Sequence, residues 1–303
     1  MPRRSISLPF ALDLRRSLRS LRLGKHDPTI LLSASTMLRA TRTPAGPATV
    51  RVDHQGDRLA VEAWGDGADL VLEQAPAWLG LLDHRTGFAP TDARVAELHR
   101  RADGLRLPRT EQVVEALVPA ILSQKVTGFE AKRAHRQLVE RWGEPAPGPG
   151  GLLLLPRADV IAELGYYDLH VIGVEKRRAD TLKRAAAHGP RLEVAGERGT
   201  ATLRDRLQAI LGIGPWTIAE VTRLAHGDAD AVSVGDLHLK DLVSWALAGE
   251  AHGTDDRMLE LLEPYAGHRG RVCLLIETSG ISAPRNGARQ PIQPIARRPG
   301  VTP

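Results

Sequence analysis

The pattern of hydrophobic and polar positions divides the chain into two parts. Within residues 1–104, apolar and polar residues alternate over 48–54 and 58–64, and another extended stretch runs over 29–42. Alternation with a period of two is typical of half-buried strands. Turn-forming residues at 53–57 join the first two stretches, which predicts an antiparallel hairpin whose buried face carries Val50, Val52, Leu59, Val61 and Ala63.

After the strand patterns, from residue 69 onward, apolar residues recur at helical spacing. Residues 69–82 and 92–102 predict two helices that cover one face of the sheet. From Thr110 onward the alternation disappears, and one amphipathic segment follows another with short connections. We therefore expect an α+β protein: an N-terminal antiparallel β-sheet with covering helices over residues 1–104, followed by an all-α domain over 105–282.

Local signals mark several helix boundaries in the second part. Thr127 with Glu130 predicts a capping box at a helix start, and Thr202 with Asp205 resembles another. Pro119 falls inside an apolar helical pattern, so that helix is either kinked or begins later than Thr110.

Composition excludes several classes of protein. The 303 residues contain one cysteine, Cys273, so the chain has neither a disulfide framework nor a set of thiolates for zinc or an iron-sulfur cluster. Apolar runs are too short to span a bilayer, and the first residues lack a signal-peptide pattern. These features predict a cytoplasmic protein without membrane contact. Residues 283–303, with five prolines and four arginines, predict a disordered basic tail.

Charge favours a polyanionic partner. Lysine and arginine outnumber aspartate and glutamate by 41 to 36, which gives a net charge of +5. An arginine-rich solvated surface explains the same excess, so both interpretations stay open. One basic group shares a face of a predicted helix and either follows a nucleic-acid backbone or faces water: Lys176, Arg177, Lys183 and Arg184. A second group is assigned only to nonspecific attraction: Arg15, Arg16, Arg19 and Arg22.

The most informative motif lies between two helical patterns, at Leu211-Gly212-Ile213-Gly214-Pro215-Trp216-Thr217. Glycine permits positive φ and has no side chain, so a phosphate can approach backbone amides at the positive end of the second helix. The alternative is that Gly212 and Gly214 only end one helix and turn the chain into the next. The whole motif with its flanking periodicity favours DNA backbone binding.

Asp236 stands 22 residues after Gly214, where the apolar spacing predicts the start of another helix. Taken alone, an aspartate at this position is an ordinary helix N-cap. Its spacing from the hairpin makes it a candidate catalytic residue as well.

Taken together, these motifs resemble the helix-hairpin-helix DNA glycosylase superfamily, and most closely its bacterial 3-methyladenine DNA glycosylase II branch. The resemblance covers residues 105–280, and the N-terminal sheet resembles the branch more loosely. Besides the hairpin and Asp236, it is carried by Gly104-Leu105-Arg106-Leu107-Pro108, Ala120-Ile121-Leu122-Ser123-Gln124, Lys176-Arg177 and, weakly, residues 269–275.

The resemblance implies a flipped-out nucleotide whose sugar C1′ lies near the Asp236 carboxylate, which stabilises developing positive charge. It implies no organic cofactor and no catalytic metal, although a monovalent cation can bind hairpin carbonyls. Trp216 occupies the position at which bifunctional relatives carry a Schiff-base lysine, so strand cleavage is not expected. Trp216 packs into the core, stacks on the base, or does both.

Several positions depart from the branch around the expected base pocket. Glu220 and Leu237 stand where the branch has aromatic rings, and His268 replaces another expected tryptophan. Glu220 either faces solvent or contacts an exocyclic amine or a cationic base. Lys125, after Gln124, matches the position of an apolar wedge that fills the gap left by the flipped base, a role that lysine cannot fill in the same way.

We therefore expect a monomeric, monofunctional DNA glycosylase of base excision repair, associated with double-stranded DNA in the nucleoid. It would hydrolyse the N-glycosidic bond of alkylated purines of the 3-methyladenine or 7-methylguanine type. The alternatives are a glycosylase for oxidised or deaminated bases and a noncatalytic protein that binds damage through the same hairpin.

Overall fold

The structure is a computed structural model that describes residues 2–284. The predicted basic tail, apart from its first two residues, lies outside this range. No helix of the described range is both long and apolar enough to cross a membrane.

A five-stranded antiparallel sheet forms the N-terminal part, in the order β1-β5-β4-β3-β2. The strands are β1 (Arg3–Ser7), β2 (Ile30–Leu32), β3 (Thr36–Thr43), β4 (Gly46–Gln55) and β5 (Arg58–Trp64). The predicted hairpin is confirmed: Val50 pairs with Ala63 and Val52 with Val61. All five side chains predicted for its inner face are buried. The edge strand β1 was not predicted, because its mostly exposed residues show no apolar alternation.

Two helices cover this sheet, α1 (Leu14–Leu18) and α2 (Ala68–Trp78). Their apolar residues join those of β3, β4 and β5 in one core that includes the fully buried Trp78. Residues 92–102 do contain the predicted helix, but the prediction that it covers the sheet is wrong. This helix, α3 (Ala93–Arg101), instead inserts Val95 into a core formed by C-terminal helices.

The remaining chain is helical apart from a short two-stranded ribbon, β6 (Glu144–Pro145) with β7 (Leu153–Leu154). The helices are α4 (Val113–Leu122), α5 (Gly128–Trp142), α6 (Ala158–Glu163), α7 (Tyr166–Val171), α8 (Lys176–Ala187), α9 (Gly189–Glu197), α10 (Thr200–Gln208), α11 (Pro215–His226), α12 (Leu239–Ala248), α13 (Asp255–Leu262) and α14 (Arg269–Thr278). The α+β architecture predicted from the sequence is confirmed.

Helix boundaries follow their local chemistry in most places. The capping box of Thr127 and Glu130 is confirmed at the start of α5. The second predicted box is wrong, because α10 begins at Thr200 after Gly199, whose φ of 107° suits glycine. Helix α4 begins at Val113, three residues after Thr110, and Pro119 lies inside it.

Two hydrophobic cores divide the helices, and the connection between them positions the candidate site. Helices α4 to α11 contribute to one core, while α3, α12, α13 and α14 form the other. The segment from Gly227 to His238 passes from the first group to the second. Asp236 lies in this segment, so the two helical groups meet around it.

Candidate active site

The predicted helix, hairpin and helix are present as α10, residues 209–214 and α11. Gly212 has a φ of 98°, and a Cβ on it would lie 2.2 Å from the Thr181 hydroxyl oxygen. Both the backbone conformation and the close approach of α8 therefore require glycine. The hairpin thus packs directly against α8, where the basic residues Lys176 and Arg177 are exposed.

Gly214 leaves open space at the start of α11. A Cβ on Gly214 would meet no atom within 4 Å, and no side chain caps this helix. Pro215 has no N–H, so the first-turn N–H groups of Trp216 and Thr217 belong to an uncapped helix N-terminus. Such a terminus carries partial positive charge and suits an anion.

The two apolar residues of the hairpin point in opposite directions. Leu211 is 75% exposed, whereas Ile213 is buried. The backbone N–H of Ile213 donates to the Ile210 carbonyl at 3.0 Å, which closes the turn. Ile213 therefore anchors the hairpin in the core, and Leu211 stays available to a partner.

Gln124 connects the loop after α4 to the hairpin. Its Nε2 donates to the Gly212 carbonyl at 3.1 Å and to the Thr217 hydroxyl at 2.9 Å. The next residue, Lys125, is exposed and has a φ of 52°, an uncommon conformation for a residue with a side chain. The loop thus presents Lys125 beside the hairpin, while the Gln124 amide is occupied within the protein.

Two hairpin carbonyls that could hold the implied monovalent cation are already hydrogen-bonded within the protein. The Gly212 carbonyl accepts from Gln124, and the Leu211 carbonyl accepts from the Arg184 guanidinium. Because Arg184 already places a positive charge at the hairpin, a cation at these two oxygens would be repelled.

Asp236 caps the start of α12, as the sequence suggested, and also contacts the hairpin helix. One carboxylate oxygen, Oδ1, accepts from the backbone N–H groups of His238 at 2.8 Å and Leu239 at 2.9 Å, at the start of α12. The other, Oδ2, accepts from the indole Nε1 of Trp216 at 3.1 Å. Three donors therefore fix the carboxylate in one orientation next to the hairpin helix.

Trp216 begins a stripe of three side chains along α11. Trp216, Glu220 and Arg223 follow each other at helical spacing and so lie on one face of the helix. This face meets the segment that carries Asp236, because Trp216 contacts Asp236 and the Glu220 carboxylate accepts from the Ser233 hydroxyl at 2.5 Å. Trp216 is only half-buried, so part of its ring remains accessible.

Four side chains beyond Trp216 form what we call the charged wall: Glu220, Arg223, Ser233 and Glu277. Arg223 donates to the Glu220 carboxylate at 2.7 Å and to the Glu277 carboxylate at 3.5 Å. The charges of Glu220 and Glu277 raise the pKa of the Arg223 guanidinium, whereas burial lowers it. Arg223 thus joins α11 to α14 through two carboxylates.

The other predicted pocket residues are distributed unevenly. Leu237 directly follows Asp236 and is 58% exposed. His268 contacts the N-terminal part instead: its Nε2 lies 3.2 Å from the Thr86 carbonyl, and its ring centroid lies 5.1 Å from that of Phe88. The structure therefore brings Gln124, Trp216, Glu220 and Leu237 around the hairpin and Asp236, and places His268 against another surface.

Sequence reasoning missed three members of this arrangement. Arg223, Ser233 and Glu277 were not singled out, and only Glu277 left a signal, as an acidic residue directly after the apolar run Val272 to Ile276 of α14. Their proximity depends on how α11, α14 and the intervening segment pack, which no local pattern records.

Comparison with solved structures defines the class of fold. The structure aligns over 91% of its length with 97% of a 3-methyladenine DNA glycosylase from Archaeoglobus fulgidus, with a TM-score of 0.75 and 21% sequence identity. It aligns over 90% of its length with 96% of an 8-oxoguanine glycosylase/lyase from Clostridium acetobutylicum bound to double-stranded DNA, with a TM-score of 0.68 and 13% identity. The fold is that of helix-hairpin-helix glycosylases.

Sequence comparison agrees with the fold. Over 144 residues, the chain is 31% identical to a Mycobacterium tuberculosis protein named as a probable bifunctional transcriptional activator/DNA repair enzyme AlkA. The match spans 46% of this chain but only 28% of that relative. No protein-family model matches the chain. The chain therefore resembles helix-hairpin-helix DNA glycosylases in its fold and this named repair enzyme over part of its sequence.

Proposed function

We propose that the protein is a monofunctional DNA glycosylase that hydrolyses the N-glycosidic bond of alkylated purines in double-stranded DNA. The observation that carries the proposal is the Asp236 carboxylate, held by two backbone amides and the Trp216 indole beside an uncapped helix N-terminus. This pairing of a phosphate-binding element with a fixed carboxylate suits cleavage at a sugar carbon.

Backbone groups and basic side chains supply the DNA contacts in this proposal. A phosphate would approach the N–H groups of Trp216 and Thr217 through the open space beside Gly214. Lys125 and the exposed basic residues Lys176 and Arg177 would add attraction that is independent of sequence. A single chain provides all these groups, so the protein would act as a monomer.

The chemistry needs a negative charge close to the sugar. As the bond from C1′ to the base nitrogen breaks, its electron pair leaves with the base and C1′ gains positive charge. The Asp236 carboxylate would stabilise that charge. Water then adds to C1′ and loses a proton to the solvent. An alkylated purine that carries positive charge departs as a neutral base, so it needs little acid assistance.

Trp216 supports hydrolysis without strand cleavage. A lyase step would require an amine to attack C1′, and the indole nitrogen of Trp216 instead donates a hydrogen bond to Asp236. The Clostridium acetobutylicum neighbour is titled a glycosylase/lyase, so the superfamily fold accommodates both outcomes. Support for alkylated purines comes from the name of the Archaeoglobus fulgidus structure, a 3-methyladenine glycosylase.

The test is release of 3-methyladenine and 7-methylguanine from methylated duplex DNA, with abasic sites and nicks scored separately. We expect the wild type to release methylated bases without nicking before alkali. Asp236→Asn should lower the rate about 1,000-fold, because an amide removes the negative charge at C1′. Both oxygens of the Asp236 carboxylate accept hydrogen bonds, whereas an asparagine side chain has only one oxygen. Thermal unfolding must therefore show that the variant is folded.

Two results would change the conclusion. Equal release by a folded Asp236→Asn would remove the catalytic role of Asp236. Tight DNA binding without release of any methylated base would favour an oxidised or deaminated substrate, or a noncatalytic damage-binding protein.

A further inference from the structure

The charged wall lies immediately beyond the carboxylate that the proposed reaction uses. Trp216, which contacts Asp236, and Glu220, which contacts Ser233, are one helical turn apart on α11. Ser233 is also tied to Asp236, whose backbone N–H donates to the Ser233 carbonyl at 3.1 Å. A base attached to a sugar at Asp236 would therefore lie next to these side chains.

Within the wall, the two glutamates differ in how far their oxygens are occupied. Both oxygens of Glu220 accept hydrogen bonds, one from Ser233 and the other from Arg223. Glu277 makes one long contact, 3.5 Å from Arg223, and its second oxygen has no hydrogen-bond partner within residues 2–284. The Glu277 side chain is 40% exposed, so this free oxygen can be reached by a ligand.

Electrostatics also sets Glu277 apart. Desolvation raises the pKa of Glu277, and the charges of Glu220 and Asp236 raise it further, while Arg223 lowers it. Glu277 therefore lies within electrostatic reach of Asp236 as well as of Glu220 and Arg223.

The wall carries more negative than positive charge. Glu220, Glu277 and Asp236 lie near two arginines: Arg223, which is paired with both glutamates, and Arg19, whose charge acts on Glu277. The three carboxylates thus outnumber the two cations beside them. A bound cation would relieve their mutual repulsion, whereas a neutral ligand would not.

We propose that Glu277 is a specificity-determining residue that selects bases carrying positive charge, with Arg223 and Glu220 holding its carboxylate in place. The inference rests on the proposed glycosylase function and names its substrate class: purines alkylated at a ring nitrogen, which are cationic before excision. Neutral damaged bases would be poor substrates. Recognition would come from charge and a hydrogen-bond acceptor.

The experiment compares single-turnover excision by the full chain on two duplexes, one with 7-methylguanine and one with the neutral base hypoxanthine. Glu277→Gln keeps the size of the side chain and removes its charge. We expect it to slow release of 7-methylguanine about 10-fold to 100-fold and to leave hypoxanthine release, where measurable, nearly unchanged. Glu277→Asp should retain most of the preference, because it retains the charge.

A matched control is Glu163→Gln at the exposed end of α6, which changes the net charge equally and should leave both rates unchanged. Binding to a duplex with an abasic site should be the same for all variants, since no base is present. An equal loss on both substrates, or full activity of Glu277→Gln on 7-methylguanine, would overturn the inference while leaving the glycosylase function intact. A wild type that releases neither of these bases, and no 3-methyladenine from methylated duplex DNA, refutes the function itself.

Discussion

The hairpin and the charged wall lie at opposite ends of the same stripe of α11, yet they are built from different chemical groups. The hairpin consists of backbone amides, two glycines and the N-terminus of a helix, held by contacts to α8 and Gln124. The wall consists of three charged side chains from α11 and α14 and the Ser233 hydroxyl from the segment between them. Backbone amides suit the phosphate, which every nucleotide shares, whereas side chains suit the base, which differs between nucleotides.

The largest expected effect tests the backbone half of this comparison. Gly212→Ala places a Cβ 2.2 Å from the Thr181 hydroxyl oxygen at a φ of 98°. Because α8 and the hairpin must then separate, we expect a loss of about 2–4 kcal/mol in the free energy of unfolding. DNA affinity, measured by fluorescence anisotropy, should fall about 100-fold as the hairpin amides lose their arrangement.

Gly214→Ala is the matched variant, since its Cβ would meet no protein atom within 4 Å and its φ is −109°. We expect it to cost less than about 1 kcal/mol of stability. DNA affinity should nonetheless fall about tenfold, because the methyl group occupies the space through which a phosphate approaches. If Gly214→Ala binds DNA as tightly as the wild type, the hairpin does not contact the DNA backbone in this way.

The next effect concerns the residue where the two regions meet. Trp216→Phe removes the donor that lies 3.1 Å from Oδ2 of Asp236 and keeps an aromatic ring. We expect the excision rate to fall about tenfold with little change in DNA affinity, because one of three constraints on the carboxylate is lost. Trp142→Phe, in a partly buried tryptophan that packs on the same core, is the control and should keep the full rate. A comparable loss in both variants would point to stability instead.

A smaller effect is expected at the contact that joins the hairpin to the loop after α4. Gln124→Ala removes hydrogen bonds to the Gly212 carbonyl and the Thr217 hydroxyl. Each such bond contributes about 1 kcal/mol, so the free energy of unfolding should fall by about 1–2 kcal/mol and DNA affinity severalfold. Gln208→Ala, at the exposed end of α10, lacks these bonds and should be silent in the same titrations. A silent Gln124→Ala would show that α8 alone holds the hairpin.

The contrast between the regions also explains what the sequence could predict. The hairpin was predicted in full because its requirements are local: glycine at a positive φ, proline at the first helical position, and apolar periodicity on both sides. The strands β4 and β5 were predicted for the same reason. Asp236 was predicted from its spacing from the hairpin. That its carboxylate both caps α12 and accepts from Trp216 is visible only in the structure.

The charged wall could not be predicted, because its members are brought together by packing between separate segments. Glu277 and Arg223 are 54 residues apart, and neither forms a motif. The packing of α3 was missed for a related reason. Its amphipathic pattern fits packing against a sheet or against other helices equally well, and in the structure α3 packs against the C-terminal helices.

The smallest effect on excision is expected at a second glutamate with a raised pKa, and it separates a structural carboxylate from the wall. Glu193 on α9 accepts from the backbone N–H groups of Val113 at 3.0 Å and Val114 at 2.9 Å, where α4 begins. Burial raises its pKa to about 7. Glu193→Gln should leave the excision rate and the preference for 7-methylguanine unchanged, because the residue belongs to the core and not to the cleft.

Its effect should appear in the pH dependence of stability. The folded state holds the Glu193 proton more tightly than the unfolded chain, so this contribution to stability is fully present below about pH 4.5 and is lost as the pH rises through about 7. Urea unfolding from pH 4.5 to 8 should therefore show the wild type losing up to about 3 kcal/mol relative to Glu193→Gln. Parallel curves would mean that the amides of α4 offset the burial of this carboxylate. A changed base preference in Glu193→Gln would mean that selectivity does not depend on the wall alone.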